Sequence, residues 1–229
     1  MSTKRNLVIF SGAGISEESG LKTYSGENGL WRNYSFKQCA SKEAWNYKPQ
    51  RVLDFYNECR REVLKAKPNK AHISLAKVDE LFNTTIITQN IDDLHERAGS
   101  KNVIHIHGEI MKVRNSKSIN SLIEWKKDLK IGNLDKDKYQ LRPAVVLFGE
   151  KALYFEKAEE AITQADIFIV IGTSLNTYPA FTLIDKTKKN CIKYFIDTEL
   201  NGKVMNGFHH IKQKATTGVP ELVNNLLLK

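Results

Sequence analysis

A chain of 229 residues, 41% hydrophobic and 27% charged, is long enough for one large globular domain or for a domain carrying a small insert. No apolar run approaches the ~20 residues of a membrane span, and Met1–Asn6 is too short a lead to be a cleaved signal, so a cytoplasmic protein is expected. The net charge of +9 raises nucleic acid as a partner, but the basic residues are dispersed, with only short clusters such as Lys126-Lys127, and they read as a solvated surface. Cys39, Cys59 and Cys191 are far apart with no C-x-x-C pair, which supports neither a thiolate metal site nor a disulfide framework.

In chain order, Leu7–Phe10 is an apolar run of strand length that breaks into Ser11-Gly12-Ala13-Gly14-Ile15-Ser16. Two glycines one residue apart after a strand allow a tight turn and a close approach of backbone N–H groups to a ligand, usually a diphosphate at the start of the next helix. The full dinucleotide fingerprint places a third glycine where Glu17 stands. A polar stretch to Trp31 reads as a short helix and a loop, Thr23-Tyr24-Ser25-Gly26. Residues 37–66 read as helical, with Val52, Phe55, Tyr56, Cys59 and Val63 on one apolar face and Pro68 as the stop. A second helix is expected from about Ala71 to Leu81.

Thr85–Thr88 is a β-branched strand ending in Gln89-Asn90-Ile91-Asp92, and a helix through Leu94 and Ala98 closes at Gly99. Val103–Ile106 is a third strand, ending in His107-Gly108. Three strands thus end in polar turns, which a parallel sheet gathers at one edge, where ligands bind. Residues 109–141, rich in Lys and Asn, read as an excursion packed on the main domain or as a flexible insert. Further strands are expected at Ala144–Phe148, Ile167–Ile171 and Ile192–Ile196, ending in Gly149-Glu150, Gly172-Thr173-Ser174 and Asp197. Helices are expected at about Leu153–Gln164, from Pro179, and over Val219–Leu228 with Pro220 near its start. Six strands alternating with helices predict an α/β fold, an open, six-stranded parallel Rossmann-like sheet with helices on both faces.

Several blocks, in this order, resemble the sirtuin family of NAD-dependent protein-lysine deacylases: Gly12-Ala13-Gly14-Ile15-Ser16 with Glu18-Ser19-Gly20, Gly29-Leu30-Trp31, Pro68-Asn69 with His72, Thr88 to Asp92, His107-Gly108, Arg142-Pro143 through Phe148-Gly149-Glu150, and Gly172 to Leu175 with Tyr178-Pro179-Ala180. The resemblance spans residues 7 to about 198. It implies a Rossmann-like part from about 1–36, 67–108 and 142–229, and a small module from insertions at about 37–66 and 109–141. It implies NAD as cofactor, an acylated-lysine protein as partner, and release of nicotinamide and O-acyl-ADP-ribose.

Breaking the nicotinamide–ribose bond develops positive charge on the sugar, so acceptors must stand near it and water must be kept out. The resemblance assigns Asn90 and Asp92 to the ribose and the nicotinamide amide, with Gln89 and Ile91 beside them in the cofactor turn. It makes His107 the general base, work suited to an imidazole near neutral pH. Gly12, Ala13, Gly14 and Ile15 would cradle the diphosphate, and Tyr24 would cover the sugar. Gly172, Thr173 and Ser174 would reach phosphate or adenosine ribose, Asp197 the adenosine ribose, and Ala215 the base. Val146, Phe148, Gly149 and Glu150 fall to the acyl-peptide. His105 and His72 read as structural.

The chain departs from the family pattern in three places. The interval 109–147 has no cysteine, where the family carries a four-cysteine zinc module, so no metal is expected. The loop after Gly20 reads Tyr24-Ser25 in place of Phe-Arg, which keeps NAD glycohydrolase or ADP-ribosyltransferase activity open as alternatives, with a non-catalytic NAD or ADP-ribose sensor as a third. Family members that remove acidic acyl groups use a Tyr and an Arg three residues apart. Here Cys59 is third after Tyr56, and Arg60, fourth, can share that helix face. Both carboxylate binding by Tyr56 with Arg60 and preference for an uncharged or long acyl chain stay open.

Overall fold

The computed structural model describes residues 4–24, 29–118, 121–173, 175, 180–199 and 207–227. Its elements are β1 (Asn6–Ser11), α1 (Gly14–Glu17), α2 (Phe36–Cys39), α3 (Lys42–Tyr47), α4 (Pro49–Lys65), α5 (Lys70–Lys77), β2 (Asn83–Thr88), α6 (Leu94–Arg97) and β3 (Val103–His105). They continue with β4 (Gly108–Asn115), β5 (Ile123–Glu124), β6 (Leu141–Val145), α7 (Phe155–Thr163), β7 (Ile167–Ile171), α8 (Ala180–Ile184), β8 (Ile192–Ile196), β9 (Phe208–Ile211) and α9 (Ala215–Leu227). Among the described residues no helix is long and apolar enough to cross a membrane.

The main sheet has six parallel strands in the order β3-β2-β1-β7-β8-β9. Its central strands are apolar on both sides because both faces are covered. Leu7, Ile9, Ile86 and Ile169 pack with Leu75 of α5 and Val219 and Val223 of α9. Val8, Phe10, Phe168 and Val170 pack with Ala158 and Ile162 of α7 and Leu183 of α8 on the other face.

The six strands are not the six expected. Ala144–Phe148 was assigned to the parallel sheet, but β6 pairs antiparallel with β4 in a second sheet of order β5-β4-β6. A continuous apolar run carries no mark of which sheet it joins. The sixth parallel strand is β9, whose Phe-His-His-Ile sequence at a partly exposed edge has little strand signature. The helix expected over 37–66 is three helices. Ser41 caps α3 by accepting from Ala44 N at 3.0 Å, and Pro49 disfavours helical backbone at Lys48 (φ −141°, ψ 56°) while opening α4. The last helix begins at Ala215, four residues early, so Pro220 falls inside it.

The second sheet is fastened to α4. Leu53, Val113, Leu129 and Leu141 form its apolar centre, with Trp45 and Trp125 against it. Asn57 brackets the main chain of Leu129, donating to its carbonyl at 2.9 Å and accepting from its N–H at 2.8 Å. Leu129 and the β4–β6 sheet thus pack on α4.

Candidate active site

Strands β1, β2, β3, β7 and β8 end at one edge of the sheet, and β1 lies at the reversal of strand order beside β7, where a crevice opens in such sheets. There the turns touch backbone to backbone: Gly12 N donates to Ile171 O at 3.0 Å and Gly14 N to Gly172 O at 2.9 Å. A Cβ on Gly12 would stand 2.5 Å from Thr173 Cβ, and one on Gly172, at φ +58°, 2.6 Å from Ile15 N. The glycines thus let the β1 and β7 turns close on each other, beyond any approach to a ligand. Thr173 Oγ1 donates to Gln89 Oε1 at 2.7 Å, joining the β2 turn to the same floor. Ile15 is fully buried in the core, so only its main chain faces the turn.

Asn90 and Asp92 are both buried. Asn90 Nδ2 donates to Gly12 O at 3.0 Å and to Ser16 Oγ at 3.2 Å. Because Gly12 O can only accept, this fixes the amide and leaves Oδ1 as the acceptor for a ligand. Ser16 Oγ donates to Asp92 Oδ2 at 3.0 Å, and Asp92 Oδ1 accepts from Leu94 N, the first residue of α6, at 3.1 Å. Burial raises the Asp92 pKa, and these two bonds hold it down in part.

His107 Nδ1 lies 3.0 Å from Gln89 O. The carbonyl accepts only, so Nδ1 carries the hydrogen and Nε2 keeps its lone pair. Burial lowers the pKa of the ring, partly offset by the Gln89 bond, so His107 is neutral at pH 7. Val146 N donates to His107 O at 2.8 Å, which sets that residue of the substrate assignment against the main chain of His107.

A cavity of about 290 Å³ opens beside this turn. Ala13, Ser16, Asn90, Ile91 and Asp92 form one wall, and Phe55, Glu58, Cys59, Glu62 and Val63 of α4 another, with Tyr24, Leu30 and Tyr34 between. Tyr24 is partly buried, and enclosure raises its phenol pKa. Tyr34 donates to Glu58 at 2.5 Å and sits edge-on to Phe55.

Three assignments are corrected here. Arg60 does not reach the cavity. It is 1% exposed, with Nε donating to Ile110 O at 3.0 Å and Nη1 to Asn57 Oδ1 at 2.8 Å. Its partner in that idea, Tyr56, is packed in the core beside Ile91, Val145 and Leu147. Glu150 is a clamp: it accepts from Arg142 at 2.7 and 3.1 Å and from Leu147 N at 2.9 Å. Burial alone would raise its pKa, but Arg142 holds it below the usual carboxylate value.

Phe148 exchanges main-chain bonds with Ala40 and Lys42 at 2.9 Å each and offers its exposed ring, packed on Phe36, while Gly149 makes the turn at φ +91°. Asp197 lies at the end of β8 with its pKa raised by burial, and Ala215 opens α9 with its side chain in the core. Ser174 and Ser25 lie outside the described residues. Among the described residues no group of three or more His, Cys, Asp or Glu is arranged to hold a metal. Sequence reasoning passed over Ser16, Glu58 and Cys59 as site residues. Ser16 could have been found from its place in the glycine turn and Cys59 from the apolar face it shares with Phe55 and Val63, whereas nothing in the sequence marks Glu58 as lining the cavity.

Residues 12–179 match the family model described as "Sir2 family". The chain is 44% identical over 224 residues to an NAD-dependent protein deacylase of Helicobacter pylori, covering 97% of this chain and 98% of that one. It superposes on a Sir2 homologue mutant–ADP-ribose complex with a TM-score of 0.89 at 36% identity, covering 97% and 94% of the two chains. A Sir2 homologue–NAD complex gives 0.85 at 35% identity, with 97% and 89% covered.

Proposed function

The chain belongs to the Sir2 family, and we infer from its site an NAD-dependent protein-lysine deacylase in which His107 is the general base and Asn90 and Asp92 hold the reacting end of NAD. The observation that carries this reading is the juxtaposition of a neutral imidazole, with its free lone pair on Nε2, and a buried Asn-Ile-Asp turn that lines the cavity. When bound, NAD supplies an ADP-ribosyl group that leaves nicotinamide and is taken up by the acyl oxygen. Asn90 Oδ1 offers an acceptor to the electron-poor sugar, while Tyr24 and Leu30 exclude water from it. His107 Nε2 takes a proton from a ribose hydroxyl, and Nδ1 stays anchored on Gln89. The close approach of the glycine turns at the strand ends fits a diphosphate at the start of α1, with Thr173 and Gln89 bonded to each other beside it.

The test is product analysis of NAD turnover with and without acetylated, succinylated and long-chain acyl-lysine peptides. Nicotinamide release that requires peptide and yields O-acyl-ADP-ribose is expected. Free ADP-ribose at the same rate without peptide would make the protein a glycohydrolase. The dispersed basic charge reads as a solvated surface and speaks against nucleic acid as partner. A cytoplasmic location and a zinc-free second module belong to the same proposal.

For the acyl group we propose an uncharged chain. Where a clamp would need Arg, Cys59 faces the cavity between Glu58 and Glu62, and its thiol pKa is pushed up to about 12 by burial. A carboxylate entering there meets Glu58 and Glu62 on either side of Cys59, with Asp92 on the opposite wall and Lys22 the one cation among the described lining residues. Cys59→Arg should raise the succinyl-to-acetyl ratio of kcat/KM about tenfold, the worth of one charge-assisted hydrogen bond. Arg60→Met should leave that ratio unchanged and lower stability by about 2 kcal/mol, because the Ile110 carbonyl and Asn57 lose a charged donor. Peptide kinetics and urea unfolding check the pair.

A further inference from the structure

His105 is read above as structural, yet both of its ring nitrogens carry consequence for the site. It closes β3, is 4% exposed, and pairs in register with Thr88, two residues before Asn90. Nδ1 lies 2.9 Å from Asn90 O, and Nε2 lies 2.7 Å from Glu96 Oε1 on α6. A main-chain carbonyl and an ionised carboxylate can only accept, so each nitrogen must donate, and only the imidazolium does both. Glu96 is held ionised: burial raises its pKa, but His105 lowers it below the usual value.

Apart from Oδ1, which is left for a ligand, the other bonding groups of Asn90 are already set by the protein. Its N–H donates to Thr88 Oγ1 at 3.1 Å, and its side-chain amide is fixed on Gly12 and Ser16, which in turn holds Asp92. The Asn90 carbonyl is the remaining main-chain anchor, and His105 supplies it. An unbroken chain of hydrogen bonds therefore runs from Glu96 through His105, Asn90 and Ser16 to Asp92.

We propose that His105 is a positioning residue, held as an imidazolium between Glu96 and the Asn90 carbonyl, and that its proton keeps the Asn90–Asp92 turn in the conformation that receives NAD. This rests on the reading that the turn faces NAD. The groups around the ring set the proton's affinity. Glu96 on α6 and Glu109 on β4 favour the charge, as does Asp92, while Lys112, paired with Glu109, opposes it. His95 on α6 and His72 on α5 are kept neutral, chiefly by burial, and so add no competing charge. Against the cost of burial, the Glu96 bond leaves the His105 pKa raised. Loss of the proton at higher pH forces the ring to abandon one of its two acceptors.

The first measurement is ¹⁵N NMR of the histidine rings in the full chain, with His105 assigned by the signals lost in His105→Gln. Both ring nitrogens of His105 should be protonated at pH 7, and a neutral single tautomer there would overturn the proposal. The second uses Glu96→Gln, whose amide can donate as well as accept and so removes the need for the second proton. In that variant neutral His105 keeps both bonds, so the alkaline limb of kcat/KM for NAD should disappear, with an unchanged KM for the acyl peptide. A profile that superposes on the wild type would leave His105 a packing residue. ADP-ribose affinity by calorimetry, followed over the same pH range, reads the turn without turnover. If it follows the His105 proton while no peptide-dependent nicotinamide release occurs, the deacylase reading fails and this inference stands.

Discussion

His107→Ala should lower kcat for acyl-peptide turnover by about a hundred- to ten-thousand-fold, the range for removing a positioned general base. NAD affinity should hardly change, since the imidazole is anchored on the Gln89 carbonyl and the cradle is built from the glycine turns and Asn90. Comparing kcat with the calorimetric Kd for NAD separates the two effects. The pH profile gives an independent check. Burial places the His107 pKa below the ordinary 6.5, so the active, unprotonated form persists as pH falls through 6.5. The acid limb of kcat/KM should therefore lie below pH 6.5 and be absent from the residual activity of the variant. A limb at or above 6.5 would show that the ring is not in this environment.

Gly108→Ala should be the most damaging single-methyl change in the molecule. Gly108 adopts φ +82° and pairs with Val145 where β4 meets β6. A Cβ there would stand 2.1 Å from Ala144 O and 2.8 Å from Val145 Cα, both main-chain atoms without a rotamer to escape into. Left-handed strain and forced separation of the strands should together cost about 3 kcal/mol, or roughly 10 °C in Tm for a chain of this size. Because Val146 N is bonded to His107 O, parting the strands also moves the base, so activity should fall well below the wild type even at temperatures where the variant is folded. Gly20→Ala is the control. It too has positive φ, at +90°, but a Cβ there meets nothing within 4 Å, so only the backbone strain remains.

Much of this was legible in the chain because strands and turns write their signatures locally. The buried run Ile167–Ile171 and the turn Gln89–Asp92 could each be read within a few residues, and a parallel sheet then necessarily gathers its strand ends. What stayed hidden depends on partners distant in sequence. Residues 59 and 60 are third and fourth after Tyr56, and helical periodicity puts both near the same face. Only the packing of α4 on Ile110 and Leu129 decides that Cys59 sees the cavity and Arg60 does not. The proton on His107 is assigned by the carbonyl of Gln89, eighteen positions away, and main-chain carbonyls leave no trace in side-chain patterns. β9 was missed because a short edge strand containing two histidines lacks the continuous apolar character of a buried one.

The seating of the second sheet on α4 divides the molecule's freedom to change. The floor that meets the dinucleotide belongs to the six-stranded sheet, whereas one wall of the cavity is the face of α4 whose other side grips Leu129 and Ile110. On the proposed reading, a change in residues 109–141 that shifts α4 moves the wall around Cys59 and leaves the glycine turns in place.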